Sequence, residues 1–173
     1  GKTPGECLLH PLALGPAATG GRVRPVRAPQ VVCNLPQLAR AAGASGFFNV
    51  APDPDGTLRS VPLLIEYRGE VYPSLALAAL VRARGETAVT RDSAAGAARN
   101  INVAGREIPT DGHGNMLVRF RGAGHGYDYF SAAAVLEGRV PAAALAGRIA
   151  FVGTTAAGLK DLRATPFDPV YPG

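Results

Sequence analysis

The chain is poor in the residues that build most binding platforms. In 173 positions it has no tryptophan, one methionine and 6% aromatic residues. A base-stacking surface needs two or three aromatics on one sheet face, and this composition argues against one. Only Lys2 and Lys160 are lysines, so arginine carries the net charge of +5. The arginines are scattered and form no dense run. Clustered cations are the footprint of a nucleic-acid binder; scattered ones are solvated charge, and no nucleic-acid partner is expected. The three histidines, His10, His113 and His125, share no ligand spacing. A zinc-binding helix needs two at i and i+4, so neither a metal nor a cofactor is expected.

Long apolar runs are missing as well. The longest, PSLALAALV at 73–81, is about half the roughly 18 to 20 residues that span a bilayer. The start of the chain carries no signal peptide, and Met116 is the only methionine. The expectation is a processed product or an excised piece of a longer chain.

What the chain has is glycine (22) and proline (15), hence many turns, and 47% hydrophobic residues, much of it alanine. The length suits one domain with a real core. Two cysteines, Cys7 and Cys33, leave two readings open: a disulfide, or two buried thiols. A bridge would place the domain outside the cytoplasm.

The stretch FVGTTAAGLKD at 151–161 has the look of a phosphate-cradling loop. That loop requires G-x-x-x-x-G-K-[ST]. After Gly153 and Gly158 stands Leu159; Lys160 is one place late, and Asp161 brings negative charge where donors belong. Prolines soon follow, which excludes the helix that completes an anion site. The DPDG sequence at 53–56 fails as a calcium loop. With Gly56 at position 6, Ala51 and Pro62 occupy positions 1 and 12. No G-x-S-x-G elbow surrounds any serine. The usual constellations of an active site are missing, and the chain is not expected to be an enzyme.

Turn and periodicity signals predict an α/β fold: a mixed sheet with hairpins and a few short flanking helices, in a single domain. Strands are expected at 6–14, at 45–51 and, as RIAFVG, at 148–153, the last buried on both faces. Hairpins are expected around Arg68-Gly69 and Ala104-Gly105, and a turn at 110–115 leading into a strand at 116–122. Helices are expected from Leu35 to Gly43, from Pro73 to Gly85 and buried on most sides, after Ser131 as cap, and from Pro141 at a first helical position to Gly147. Residues 86–100 read as a loop or a frayed helix. The best candidate ligand contacts are Thr154, Thr155 and Asp161, where the predicted strand 148–153 would leave the core, because open α/β sheets bind ligands at such carboxyl ends. The competing reading is that these side chains only tie the loop to itself.

Six segments in order carry a family resemblance: GFFNVAPDPDGTLRSVPLL, GEVYPSLALAAL, REIPTDGHGNMLVRFRG, YDYFSAAAVLEGRVP, LAGRIAFVGTTAAGLKDLRATPF and YPG. They resemble the CHASE family (cyclase/histidine-kinase-associated sensory extracellular domains), second type. The match covers about residues 46–173 well and 1–45 weakly. Members begin with a further α/β segment that has no counterpart here, so the chain resembles the later part of the domain. The resemblance implies an extracytoplasmic sensory domain of a bacterial membrane receptor. Its own transmembrane helices would lead to a cytoplasmic adenylate or guanylate cyclase or a kinase, and the receptor could be a homodimer. The signal would be a small molecule or another extracytoplasmic cue. Two other functions stand beside it: a structural spacer or dimerisation module without ligand, and an intracellular nucleotide-binding enzyme fragment.

Overall fold

Two-residue turns set the first level of structure. Arg68 and Gly69 have φ of 54° and 87°, and Ala104 and Gly105 have φ of 51° and 76°. Positive φ at both central positions is the twist that joins adjacent antiparallel strands. The computed structural model describes residues 7–15, 25–93, 99–122, 127–154 and 162–172. They form the expected mixed α/β structure, a single small domain with short helices. Within it the chain clusters into two units, Gly1–Ala51 with Ser60–Leu117, and Pro52–Arg59 with Val118–Gly173.

The larger unit holds β1 (Ala13–Leu14), β2 (Val26–Arg27), α1 (Pro36–Ala42), β3 (Ser60–Pro62), β4 (Leu64–Tyr67), β5 (Glu70–Pro73), α2 (Leu75–Ala83), β6 (Ala88–Ser93), β7 (Arg99–Val103), β8 (Arg106–Thr110) and β9 (Asn115–Leu117). One sheet has the order β2-β4-β5 and another β1-β6-β7-β8; β3 pairs with β9. β1 runs parallel to β6, and β2 parallel to β4; the other pairs are antiparallel. The segment around β1 joins the first two sheets. Leu12 N–H donates to Val71 O on β5 (2.9 Å), and Gly15 N–H donates to Val89 O on β6 (2.9 Å).

The core lies beneath these strands: Leu63, Leu64, Leu77, Val81, Val89, Ile101 and Val103, with Leu12 and Leu14 packed against it. α2 buries Leu77, Ala78 and Val81 and leaves Leu75 exposed. It is therefore amphipathic, not buried on most sides as its composition suggests, because small alanines read as apolar on every face. Its N-terminus is tied down at two donors. Leu75 N–H donates to Phe47 O (2.7 Å), and Leu77 N–H donates to the Ser74 cap hydroxyl (3.3 Å).

Several expected elements differ. Residues 86–100, expected as loop or frayed helix, supply β6 and the start of β7. Pairing with β1 and β7 outweighs the weak local preference of this small, polar stretch. The strand expected at 45–51 reduces to a single bridge from Phe47 to Ser74. The one expected at 6–14 shortens to β1, and the one at 116–122 ends with β9. In each case no further strand among the described residues pairs with the rest of the segment, although Val118 N–H still donates to Arg59 O just past β9.

The smaller unit contains α3 (Ala132–Leu136), α4 (Ala142–Leu145), β10 (Leu162–Arg163) and β11 (Tyr171–Pro172), with β10 and β11 antiparallel. Thr57 bridges to Ala164, and Leu58 and Thr165 are buried. Phe120 and Phe167 meet with ring centroids 6.4 Å apart. Gly138 and Gly147, both at φ 70°, follow the two helices as expected. Ser131, however, makes no side-chain cap bond, and Pro141 is the cap residue (ψ 135°) and not the first helical one. The buried strand expected at 148–153 is not formed, and those residues have no regular structure.

Gly46 lies against the start of α2. A Cβ there would sit 2.6 Å from Leu75 Cα and 2.9 Å from Leu75 N, which are backbone atoms that cannot turn aside. Gly46→Ala is expected to lower stability by about 1–3 kcal/mol in urea unfolding. Gly153→Ala, where a Cβ meets open space, is expected to change it by less than about 0.5 kcal/mol.

Candidate functional site

The predicted ligand contacts depended on a strand that the chain does not form. Ile149, Phe151 and Val152 are 52%, 64% and 93% exposed. No hydrogen bond links residues 149–153 to other described residues. An apolar run becomes a strand only where neighbouring strands satisfy its backbone groups, and no described strand does so here. Thr154 is exposed at the end of this run. Thr155 and Asp161 lie outside the described residues, so the three are not brought together among them.

The polar clusters that are built hold the fold. In the 53–59 turn, Gly56 has φ 82° and its N–H donates to Asp53 O (2.8 Å). Arg59 Nη1 donates to Asp53 Oδ2 (2.8 Å), and its Nη2 donates to Asp55 Oδ2 (2.8 Å). Thr57 N–H donates to Asp55 Oδ1 (2.9 Å). Both carboxylates are thus spent on the turn and its arginine, in line with the failure of the calcium-loop pattern. A second such turn follows β8. Asp111 Oδ1 accepts from His113 N–H (2.8 Å) and Asn115 N–H (2.9 Å), and Oδ2 accepts from the Asn115 side-chain amide (2.9 Å). His113 is a turn residue, as its glycine-rich setting suggests. Among the described residues no group of three or more histidine, cysteine or acidic side chains could hold a metal ion.

Cys7 and Cys33 are joined by a disulfide with their Cα atoms 5.4 Å apart. Close by in sequence, His10 N–H donates to Ser45 Oγ (2.9 Å), and its Nε2 lies 3.1 Å from Ala39 O on α1. Sequence reasoning gave His10 no role. Its partners are 29 and 35 residues away, and no local pattern announces them.

Two expectations follow from these clusters. Removing the bridge, by Cys7→Ser with Cys33→Ser, frees a 26-residue separation and is expected to cost about 3.5 kcal/mol in chemical denaturation. The second concerns acid. Hydrogen bonds from Arg59, then the Thr57 N–H, hold the Asp55 carboxyl well below the usual range. Burial pushes Asp111 up, but the donors of Asn115 and His113 together hold it below its ordinary value. A carboxyl with a depressed folded pKa stabilises the fold fully above its unfolded value, and that contribution is lost as pH falls through the folded pKa. Stability is therefore expected to fall in acid below about pH 4. Carboxyl NMR should show Asp55 still ionised below 3.8 in the parent, and returning toward 3.8 in Arg59→Ala. A parent midpoint at that ordinary value would contradict the clamp.

Comparison with known proteins adds one finding. The family model for the CHASE2 domain matches residues 12–173. It reaches back to β1, through the part that the sequence segments covered only weakly. No curated protein and no solved structure matches. With nearly all of its length matched, the chain belongs to the CHASE2 domain family, a family of extracellular sensory domains of signalling receptors.

Proposed function

We propose that this chain is the extracytoplasmic ligand-sensing domain of a bacterial transmembrane receptor, and that it regulates a cytoplasmic adenylate or guanylate cyclase or a kinase. The observation that carries the reading is the family match over residues 12–173. The Cys7–Cys33 disulfide supports it, because such bridges persist outside the reducing cytoplasm. The same bridge weighs against an intracellular nucleotide-binding enzyme fragment. No described helix is long and apolar enough to cross a membrane; the membrane helices of this reading belong to other parts of the receptor.

The mechanism is a population shift. The domain has two arrangements, a signal molecule prefers one, and the receptor's membrane helices carry that preference to the output domain. Only a difference in affinity between the two arrangements can move the output, whatever the tightness of binding. The proposed contacts are Thr154, Thr155 and Asp161. Two hydroxyls and a carboxylate suit a small polar or cationic molecule, and the exposure of Thr154 leaves its hydroxyl accessible.

The test has two arms. Thermal-shift screening of the chain against a panel of small polar metabolites is expected to give a stabilising ligand, whose effect disappears in Thr154→Ala and Asp161→Ala. In the full receptor, deletion of the domain is expected to change the basal output rate. A silent screen with an unchanged output rate refutes sensing. A silent screen with a changed rate supports the ligand-free spacer instead.

A further inference from the structure

We propose that the Cys7–Cys33 disulfide is a thiol-sensitive lock: an extracytoplasmic dithiol opens it and releases the segments around β1 and α1 while the core stays folded.

Residues 7–12 and 31–35, which the bridge joins, have no regular structure. Opening the bridge therefore breaks no ladder and no helix directly. α1 follows at once, and it buries only Ala39. Seven residues do not hold a helix by propensity. Besides the bridge, two hydrogen bonds tie these segments together, from His10 N–H to Ser45 Oγ and between His10 Nε2 and Ala39 O. They span 35 and 29 residues, and without the bridge they alone carry the entropy of closing those loops.

The core is built elsewhere. Leu63, Leu64, Leu77, Val81, Val89, Ile101 and Val103 all lie within 63–103. β4 pairs with β5, and β6 and β8 pair with β7, without help from the bridged stretches. The lock thus acts on a part of low local stability, the kind that opens without global unfolding. Its release reaches beyond the cysteines, because the freed segment runs into residues 12–15, which bond to β5 and β6.

Exposure sets the order of events. Cys33 is exposed and Cys7 half-buried, and Val32 beside Cys33 is 97% exposed, so attack is open at Cys33. A thiolate of the dithiol attacks Cys33 Sγ. The bond between the two cysteines breaks, a mixed disulfide forms on Cys33, and Cys7 leaves as a thiolate that takes up a proton. The second thiol of the reagent attacks the mixed disulfide, frees Cys33 as a thiol and leaves as the oxidised reagent. Two electrons and two protons pass from the dithiol to the bridge, and a disulfide oxidant reverses the exchange. This chemical input rests on the extracytoplasmic placement proposed above and not on the ligand contacts proposed with it.

Amide exchange of the 173-residue chain, in native buffer with and without dithiothreitol, tests the lock and needs no signal ligand. In reductant, exchange at 7–15 and 36–45 is expected to quicken at least about tenfold, while 64–73 and 99–110 keep their protection. Oxidised glutathione should then restore the parent pattern. A brief pulse of reduced glutathione, quenched in acid, should leave its adduct on Cys33. Cys7→Ser with Cys33→Ser should show the released pattern without reductant and no response to it. The proposal is overturned by a bridge that opens only when the whole domain unfolds, or by a reduced chain that exchanges like the oxidised one. An adduct on Cys7, or a double variant unfolded throughout, overturns it as well.

Discussion

The larger unit depends on the placement of residues 12–15 between two sheets. Leu12 bonds to β5, while Ala13 and Leu14 pair with β6. Through this segment, a series of hydrogen-bonded neighbours links β2 to β8. A second backbone link runs on the other side, where Leu63 N–H donates to Gly114 O (3.0 Å) and β3 pairs with β9. Leu12 and Leu14 also pack against the cluster around Leu64 and Ile101, so one short stretch supplies both backbone continuity and core surface. Gly15 fits the same constraint, since a Cβ there would come within 2.8 Å of Thr90 Cγ2 on β6.

That dependence explains what holds the segment in place. α1 lies beyond the core and buries only Ala39. Seven residues are too few for a helix to persist by propensity, where about 12 to 15 are needed. Specific ties take the place of packing. His10 reaches Ala39 O and Ser45 Oγ, and the Cys7–Cys33 bridge fixes the approach to β1 against the residues before α1. Cys7 lies just outside the span matched by the family model, and Cys33 inside it. The bridge thus anchors residues beyond the matched span to those within it.

What could be read in the sequence was local. Arg68-Gly69 and Ala104-Gly105 mark hairpins because a two-residue turn needs positive φ wherever it occurs. Gly43, Gly85, Gly138 and Gly147 mark helix ends for the same reason. Strands were less legible, because an extended stretch is stable only against a partner elsewhere in the chain. β6 looked too polar and small, yet it pairs on both sides. RIAFVG looked like the best strand of all and has no partner among the described residues. The candidate site shared that fate, since Thr154 was placed by the strand before it. The acidic turns fared better. Asp53, Asp55 and Arg59 fall within seven residues, so the contacts that satisfy both carboxylates are local ones.

The outer strand of one sheet and the unpaired apolar run at 149–153 carry different side chains. β8 is the outer strand of its sheet. The two-residue turn makes Val103 and Arg106 a hydrogen-bonded pair, so Ile101 with Ile108 is the next. Positions 107 and 109 therefore face away from β7. Glu107 puts a charge on that edge, and Pro109 has no N–H to offer, two features that block a further strand. Residues 149–153 carry neither device: no proline, no charge, and only apolar side chains before Gly153. Yet they form no strand, so composition alone neither makes a stretch pair nor keeps it apart; a partner strand at the right distance decides.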